Sequence, residues 1–327
     1  MFRAILLNQK EGKTEASVQT LTADRLPAGD VTVAIDYSTL NYKDGMAITG
    51  LRPVVRTWPM VPGIDFAGTV EQSADPRYPV GSKVVLTGWG VGESYWGGLS
   101  QKAAVNGNFL VRLPEGLSTR DAMAVGTGGF TAMLCVLALE RNGVTPDSGE
   151  ILVTGANGGV GSFATFLLAK RGYTVAASTG RPTEADRLRA LGASEIIDRK
   201  TLSEPGKPLH GERWAGAVDS LGSHTLANVC ASTKYGGTVA ACGLAQGMDF
   251  PSTVAPYILR GVTLAGVDSV HCPLSARIEV WRQLSATLGG SELLTAVKEI
   301  SLEQAIPVAK ELLEGKVLGR VVVNVNK

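Results

Sequence analysis

Ile151-Leu152-Val153-Thr154 runs without a break into Gly155-Ala156-Asn157-Gly158-Gly159-Val160-Gly161, and Val160 through Lys170 then continues at helical spacing. A buried strand, a tight glycine turn and a helix in that order are compatible with few folds. Counted from Ala156, the turn reads A-x-G-x-x-G. Gly158 lets the backbone approach a pyrophosphate, and Gly161 lets the helix pack closely on the strand. The helix N-terminus offers free N–H groups and the positive end of its dipole. The pattern predicts a dinucleotide site made of Gly158, Gly159, Val160, Gly161 and Ser162, with a plain glycine-rich turn as the alternative.

The segments after the turn support the site. Thr174–Ala177 is a second apolar strand, Thr183–Leu191 a helix, and Glu195–Asp198 a third strand. Ala217–Asp219, Thr238–Cys242 and Val262–Gly266 supply three more. Six buried strands with helices between them predict a parallel, doubly wound α/β sheet. The end of the second strand selects the nucleotide. NAD sites place an acid there for the ribose 2′-hydroxyl, but this strand ends Ser178-Thr179-Gly180-Arg181. An acid repels a 2′-phosphate, whereas hydroxyls and a guanidinium bind one by charge-assisted hydrogen bonds. NADPH is the cofactor this end predicts; for Arg181 an exposed loop position before Pro182 is the alternative.

Upstream the period is two. Val31, Val33, Ile35 and Tyr37 alternate, Lys83–Thr87 is a short strand, and Pro and Gly punctuate the intervals, as in a small irregular barrel. The tail reads as a helix, Leu302–Glu314, and a strand, Arg320–Val325. With 327 residues, more than one core usually organises, two domains joined by a helix are expected.

Composition excludes several roles. A formal charge of +1 with no block of like charges leaves no footprint for nucleic acid or an anionic membrane surface. No apolar stretch is expected to reach the roughly 20 residues of a membrane span, and the N-terminal apolar run is too short for a signal peptide. Cys135, Cys230, Cys242 and Cys272 have no C-x-x-C spacing and read as free thiols of a reducing cytoplasm.

A small β domain, a dinucleotide fold and a return strand, in that order, resemble the medium-chain dehydrogenase/reductase superfamily. Pro62-Gly63-Ile64-Asp65-Phe66-Ala67-Gly68, Gly97-Gly98-Leu99 and Leu113-Pro114-Glu115-Gly116 are typical of it. The resemblance implies a GroES-like β-barrel catalytic domain (1–125 and 270–327) and a Rossmann domain (126–269). The superfamily's zinc enzymes carry a Cys where this chain has Asn41, and a His-Glu pair where it has Ile64-Asp65. Near Thr127–Gly129 there is no third ligand, and the four-cysteine lobe is missing. Such residues cannot make a tetrahedral N/S site, so no metal is expected. Within the zinc-free quinone oxidoreductase-like branch, Leu40-Asn41-Tyr42-Lys43-Asp44, Leu86–Glu93, Trp96–Leu99, Gly128–Cys135 and Ala240–Ala245 resemble bacterial acryloyl-coenzyme A reductases.

That resemblance implies hydride transfer to an activated double bond, with an acyl-CoA substrate and a homodimer. It places Asn41, Tyr42 and Asp44 at the catalytic centre. Tyr42 would donate or relay a proton and also touch the cofactor, and Asn41 would hold the carbonyl. An ordinary half-buried aromatic and a loop cap are the alternatives for Tyr42 and Asp44. Thr127 and Thr131 flank the nicotinamide in relatives, or are helix-start hydroxyls. Gly243, Leu244 and Ser269 end strands and line the cofactor cleft; Arg199 reaches the adenosine end, and Arg320 occupies a family position near the cofactor. Arg52 and Arg56 meet the phosphates of coenzyme A, or belong to a solvated loop. A quinone reductase of the same fold is the alternative activity, and a non-catalytic NADPH-binding protein of the crystallin kind is a third reading.

Overall fold

The computed structural model describes all 327 residues, Met1–Lys327. It divides into two compact units, Met1–Thr127 with Ser269–Lys327, and Gly128–Asp268.

The first unit opens with β1 (Phe2–Lys10), β2 (Lys13–Leu21), β3 (Val31–Leu40), α1 (Tyr42–Thr49), β4 (Asp65–Ser73), β5 (Lys83–Thr87), β6 (Lys102–Val105) and β7 (Val111–Arg112). A helical run, α2 (Thr119–Arg141), carries the chain onward and is broken at Gly126, where φ is 49°. α2 corrects one expectation from the sequence, since it is long and apolar enough to cross a membrane. Of its most apolar window, 89% is buried inside the fold, which makes it a core helix.

The second unit holds β8 (Ile151–Val153), α3 (Gly159–Lys170), β9 (Val175–Thr179), α4 (Ala185–Ala190), β10 (Ala193–Asp198), α5 (Lys200–Ser203), β11 (Trp214–Asp219), α6 (Ser223–Ser232), β12 (Thr233–Ala241), α7 (Ala255–Arg260) and β13 (Thr263–Gly266). The chain returns to the first unit through α8 (Leu274–Leu288), α9 (Glu292–Thr295), β14 (Lys298–Ser301), α10 (Leu302–Leu313) and β15 (Val321–Asn324).

In the second unit the strand order is β10-β9-β8-β11-β12-β13, every neighbouring pair parallel. The order reverses between β8 and β11, the switch point where open α/β sheets bind ligands beyond the strands' carboxyl ends. β8, β9 and β11 are buried along their whole length, because helices cover both faces.

The first unit has a seven-stranded sheet ordered β14-β15-β3-β4-β5-β7, with β6 also on β3, and a separate β1-β2 hairpin. β3 organises it. Val31, Val33 and Ile35 point into the core, then Ser38, Thr39 and Leu40 are all buried, since β15 pairs there while β6 pairs with the first half. That buried polar end delivers the chain straight into α1.

Candidate functional site

Two groups of residues stand out, one in each unit. In the second unit, the phosphate turn is shaped by close approach. A Cβ on Gly161 would collide with the carbonyl oxygen of Gly155. α3 starts after Gly158, an exposed residue in extended conformation, and no side chain caps it. Its first N–H groups are thus left for an anion. Ser162 is not available in the expected way. Its hydroxyl is buried and donates to the Gly158 carbonyl at 2.8 Å.

At the end of β9, the Ser178 hydroxyl is buried without a hydrogen-bond partner. Thr179 Oγ1 accepts from Asn157 Nδ2 at 2.8 Å and from the Arg181 backbone N–H at 3.0 Å, which folds the loop back. A Cβ on Gly180 would lie 2.8 Å from the Arg199 guanidinium, so that side chain lies close over the strand end. Arg187 joins the group by donating to Asn157 Oδ1 at 3.2 Å, and burial pulls its pKa down. Three arginines and two hydroxyls therefore gather at the end of a strand that itself carries no acid, with Asp198 of β10 opposite Thr179 and Glu184 near Arg187. A cluster of guanidinium groups at this end suits the 2′-phosphate of NADPH.

Sequence reasoning missed Arg187 and Asn157. Arg187 sits one turn into α4, where only the pairing to Asn157 gives it a direction. Gly243 and Leu244 follow β12, where Leu244 is exposed, while Thr131 is buried within α2.

In the first unit a buried polar network occupies the junction of β3, α1, β4 and β15. Asp65 is fully buried; Oδ1 accepts from Thr39 Oγ1 at 2.7 Å, and Oδ2 accepts from the Thr127 backbone N–H at 2.8 Å and Asn41 Nδ2 at 3.1 Å. The guanidinium of Arg320, 5% exposed, lies 3.8 Å from Asp65 and donates to Asn41 Oδ1 at 2.7 Å, Thr39 Oγ1 at 3.1 Å and the Ala124 carbonyl at 3.3 Å. Asp44 accepts from the Asn41 and Ile64 backbone N–H groups at 2.8 and 2.9 Å. Burial, then the nearby Asp65, push its carboxyl up to about 7, against the N–H donors that pull it back.

This network revises three assignments. Asn41 does not present its amide to a ligand, because Thr39, Asp44, Asp65 and Arg320 already engage it. Asp44 closes a capping box at the start of α1 and fastens Ile64. Arg320 is held among these partners and anchors the return strand. All three side chains are engaged by protein partners in this structure. Tyr42 differs: the first residue of α1, it is 47% exposed. Lys43, beside it, pairs with Glu93 at 2.8 Å, which ties α1 to the loop after β5. Ser269 gives its carbonyl to the buried Arg277 at 3.1 Å, and the same guanidinium holds the Thr87 carbonyl at 2.6 Å. Sequence reasoning also missed Arg277, together with α8, which carries it. Arg52 and Arg56 are exposed on the loop after α1.

Zinc does not fit these residues. No cluster of three or more His, Cys, Asp or Glu is positioned to hold a metal. The two buried carboxylates are instead saturated by N–H and O–H donors and a guanidinium.

Residues 27–115 match the alcohol dehydrogenase GroES-like domain, and residues 159–288 the zinc-binding dehydrogenase family. The acrylyl-CoA reductase AcuI of Ruegeria pomeroyi is 54% identical over 329 residues, covering 100% of both chains. The crystal structure of Escherichia coli K-12 YhdH with bound NADPH superposes with a TM-score of 0.96 at 54% identity, over 99% of this chain and 100% of that one. Bacillus subtilis YhfP, solved with NAD bound, gives 0.95 at 45% identity, over 99% of each chain. Likeness of this extent, over both domain families in order, makes the chain a member of the medium-chain dehydrogenase/reductase superfamily, in the quinone oxidoreductase-like branch that contains acrylyl-CoA reductase.

Proposed function

We propose that this protein reduces the double bond of acryloyl-CoA to propionyl-CoA with NADPH. The observation that carries the reading is identity of 54% to an acrylyl-CoA reductase along the entire length of both chains. The absence of an acid at the end of β9 itself, with Arg181, Arg187 and Arg199 clustered there, supports the choice of NADPH over NADH. When bound, NADPH supplies a hydride. The hydride goes to the β-carbon of the thioester, the π electrons move toward the carbonyl, and a proton completes the α-carbon.

The chain's own residues handle charge and the proton. Enolate charge builds on the thioester oxygen, so a donor must be preset there. Tyr42 is assigned that role, its hydroxyl donating to the oxygen or passing a proton toward the α-carbon. Asn41, Asp44, Asp65 and Arg320 fix the start of α1 and so the direction of Tyr42. Arg181, Arg187 and Arg199 bind the 2′-phosphate, Ser178 and Thr179 the adjacent ribose, and Gly158–Gly161 the pyrophosphate, with Gly243 and Leu244 on the same rim. Chemistry proceeds without zinc, since the acceptor is already activated by its thioester and no Lewis acid is needed.

A homodimer is part of this reading. β13 is an edge strand, paired only with β12. In the loop and helix that precede it, Met248, Val254, Ile258 and Leu259 are exposed at 78, 67, 73 and 64%. A bare strand edge with an apolar rim suits a second copy of the chain. The free cysteines and the charge balance support a cytoplasmic location.

The activity is tested by NADPH oxidation with acryloyl-CoA, crotonyl-CoA, free acrylate and a quinone. Acryloyl-CoA should react fastest. Crotonyl-CoA should be slower, since one methyl is discriminated by about 1–3 kcal/mol. Acrylate, lacking the thioester and all remote binding energy, should be nearly inert. Faster turnover of the quinone would overturn the reading.

A further inference from the structure

A cavity of about 230 Å³ lies at the far end of α1, lined by Gln9 and Thr14 of the β1-β2 hairpin and by Gly50, Arg52, Val55 and Trp58. No acid lines it, and Arg52 is its one charged lining residue. Gln9 and Thr14 offer hydrogen-bond donors and acceptors, while Trp58 and Val55 offer a partly buried apolar wall.

α1 leads to this cavity. Tyr42, Met46 and Gly50 recur at i, i+4 and i+8 and form one ridge along the helix. Tyr42 and Gly50 are exposed and Met46 half-buried, whereas Asp44, Gly45, Ala47 and Ile48 turn inward. Eight helical residues span about 12 Å. A pantetheine arm, with its two amides, has the reach of a four-residue extended peptide, about 14 Å. A thioester at Tyr42 would thus bring the other end of that arm to Arg52.

We propose that the cavity between the β1-β2 hairpin and the end of α1 holds the nucleotide end of the acyl-CoA. The purine enters against Trp58, with Gln9 and Thr14 at its polar edge. The phosphates stay at the mouth on Arg52, and the pantetheine arm follows the Tyr42–Met46–Gly50 ridge. The inference rests on the acyl-CoA reading above and deepens it.

The test compares acryloyl-CoA with acryloyl-pantetheine, which keeps the reacting group and arm but lacks the nucleotide. Loss of a charge-assisted phosphate contact should raise KM for acryloyl-CoA about ten- to a hundredfold in Arg52→Glu. kcat should hold, and the preference for acryloyl-CoA over acryloyl-pantetheine should fall by the same factor. Arg52→Lys should recover much of that preference. The proposal is overturned if Arg52→Glu keeps the wild-type preference, or if it impairs both thioesters equally, which would mean a disturbed α1. If the wild-type enzyme binds NADPH but reduces neither thioester, the acyl-CoA reading itself fails, and this inference with it.

Discussion

Arg320→Ala is expected to destabilise the first unit by about 3–5 kcal/mol, the usual result of removing one partner from a buried ion pair. Arg320 and Asp65 are almost wholly excluded from water, and Asp44 lies close enough to Asp65 to feel its charge. Without the guanidinium, two carboxylates remain in a low-dielectric site with no cation among their partners. The effect should depend on pH in a definite direction. Asp44 already has a pKa raised to about 7 in the fold, above its ordinary value near 3.8. Stability from a raised acid is present below the unfolded value and is lost as pH rises through the folded one. Removing Arg320 makes ionisation at this corner costlier still, so the stability loss should be larger at pH 8 than at pH 5. Urea unfolding of both forms at the two pH values measures it. Asp65→Asn combined with Arg320→Met should recover part of the loss, because it leaves no buried charge at that pair. A loss below about 1 kcal/mol, or one independent of pH, would show that the network is not the anchor described here.

The second large effect is expected at the cofactor. Arg181→Ala should raise KM for NADPH about ten- to a hundredfold, from the loss of charge-assisted bonds to the 2′-phosphate. NADH, which has no such phosphate, should be used as before. In this reading Arg187 and Arg199 share the same anion, so either substitution should act in the same direction, and the effects should not add simply. That a relative at 45% identity was solved with NAD makes the NADPH-to-NADH ratio the quantity to read. Equal weakening of both cofactors would assign Arg181 to the loop's structure instead.

Legibility followed periodicity and range. β8, β9, β10 and β11 were readable because short apolar runs end in Gly or polar residues, and each is only a few residues from its neighbouring helix. β1 was not readable. It is buried along most of its length instead of alternating, so it carries no period of two. α1 is a short helix inside a segment that otherwise reads as β, and its cap is made by Asn41 and Asp44, types that also populate loops. The choice of NADPH was legible because one residue type, the missing acid, decides it locally.

The partners that Asn41 and Arg320 meet were not legible, since they lie far apart in the chain. Arg320 meets Asn41 across 279 positions, and Asp65 meets Thr127 across 62. The sequence showed what a metal would lack; only the fold shows that a guanidinium and two carboxylates fill the same corner.

The central claim, hydride transfer from NADPH to the β-carbon of acryloyl-CoA, is tested most directly by following the hydrogen. The enzyme is given acryloyl-CoA and NADPH deuterated on each face of nicotinamide C4 in turn, and the propionyl-CoA is examined by NMR. One of the two labels should appear as a single deuterium at C3, with none at C2; in heavy water with unlabelled NADPH, deuterium should enter C2 alone. Label at C2, or NADPH oxidation without propionyl-CoA, would contradict the account.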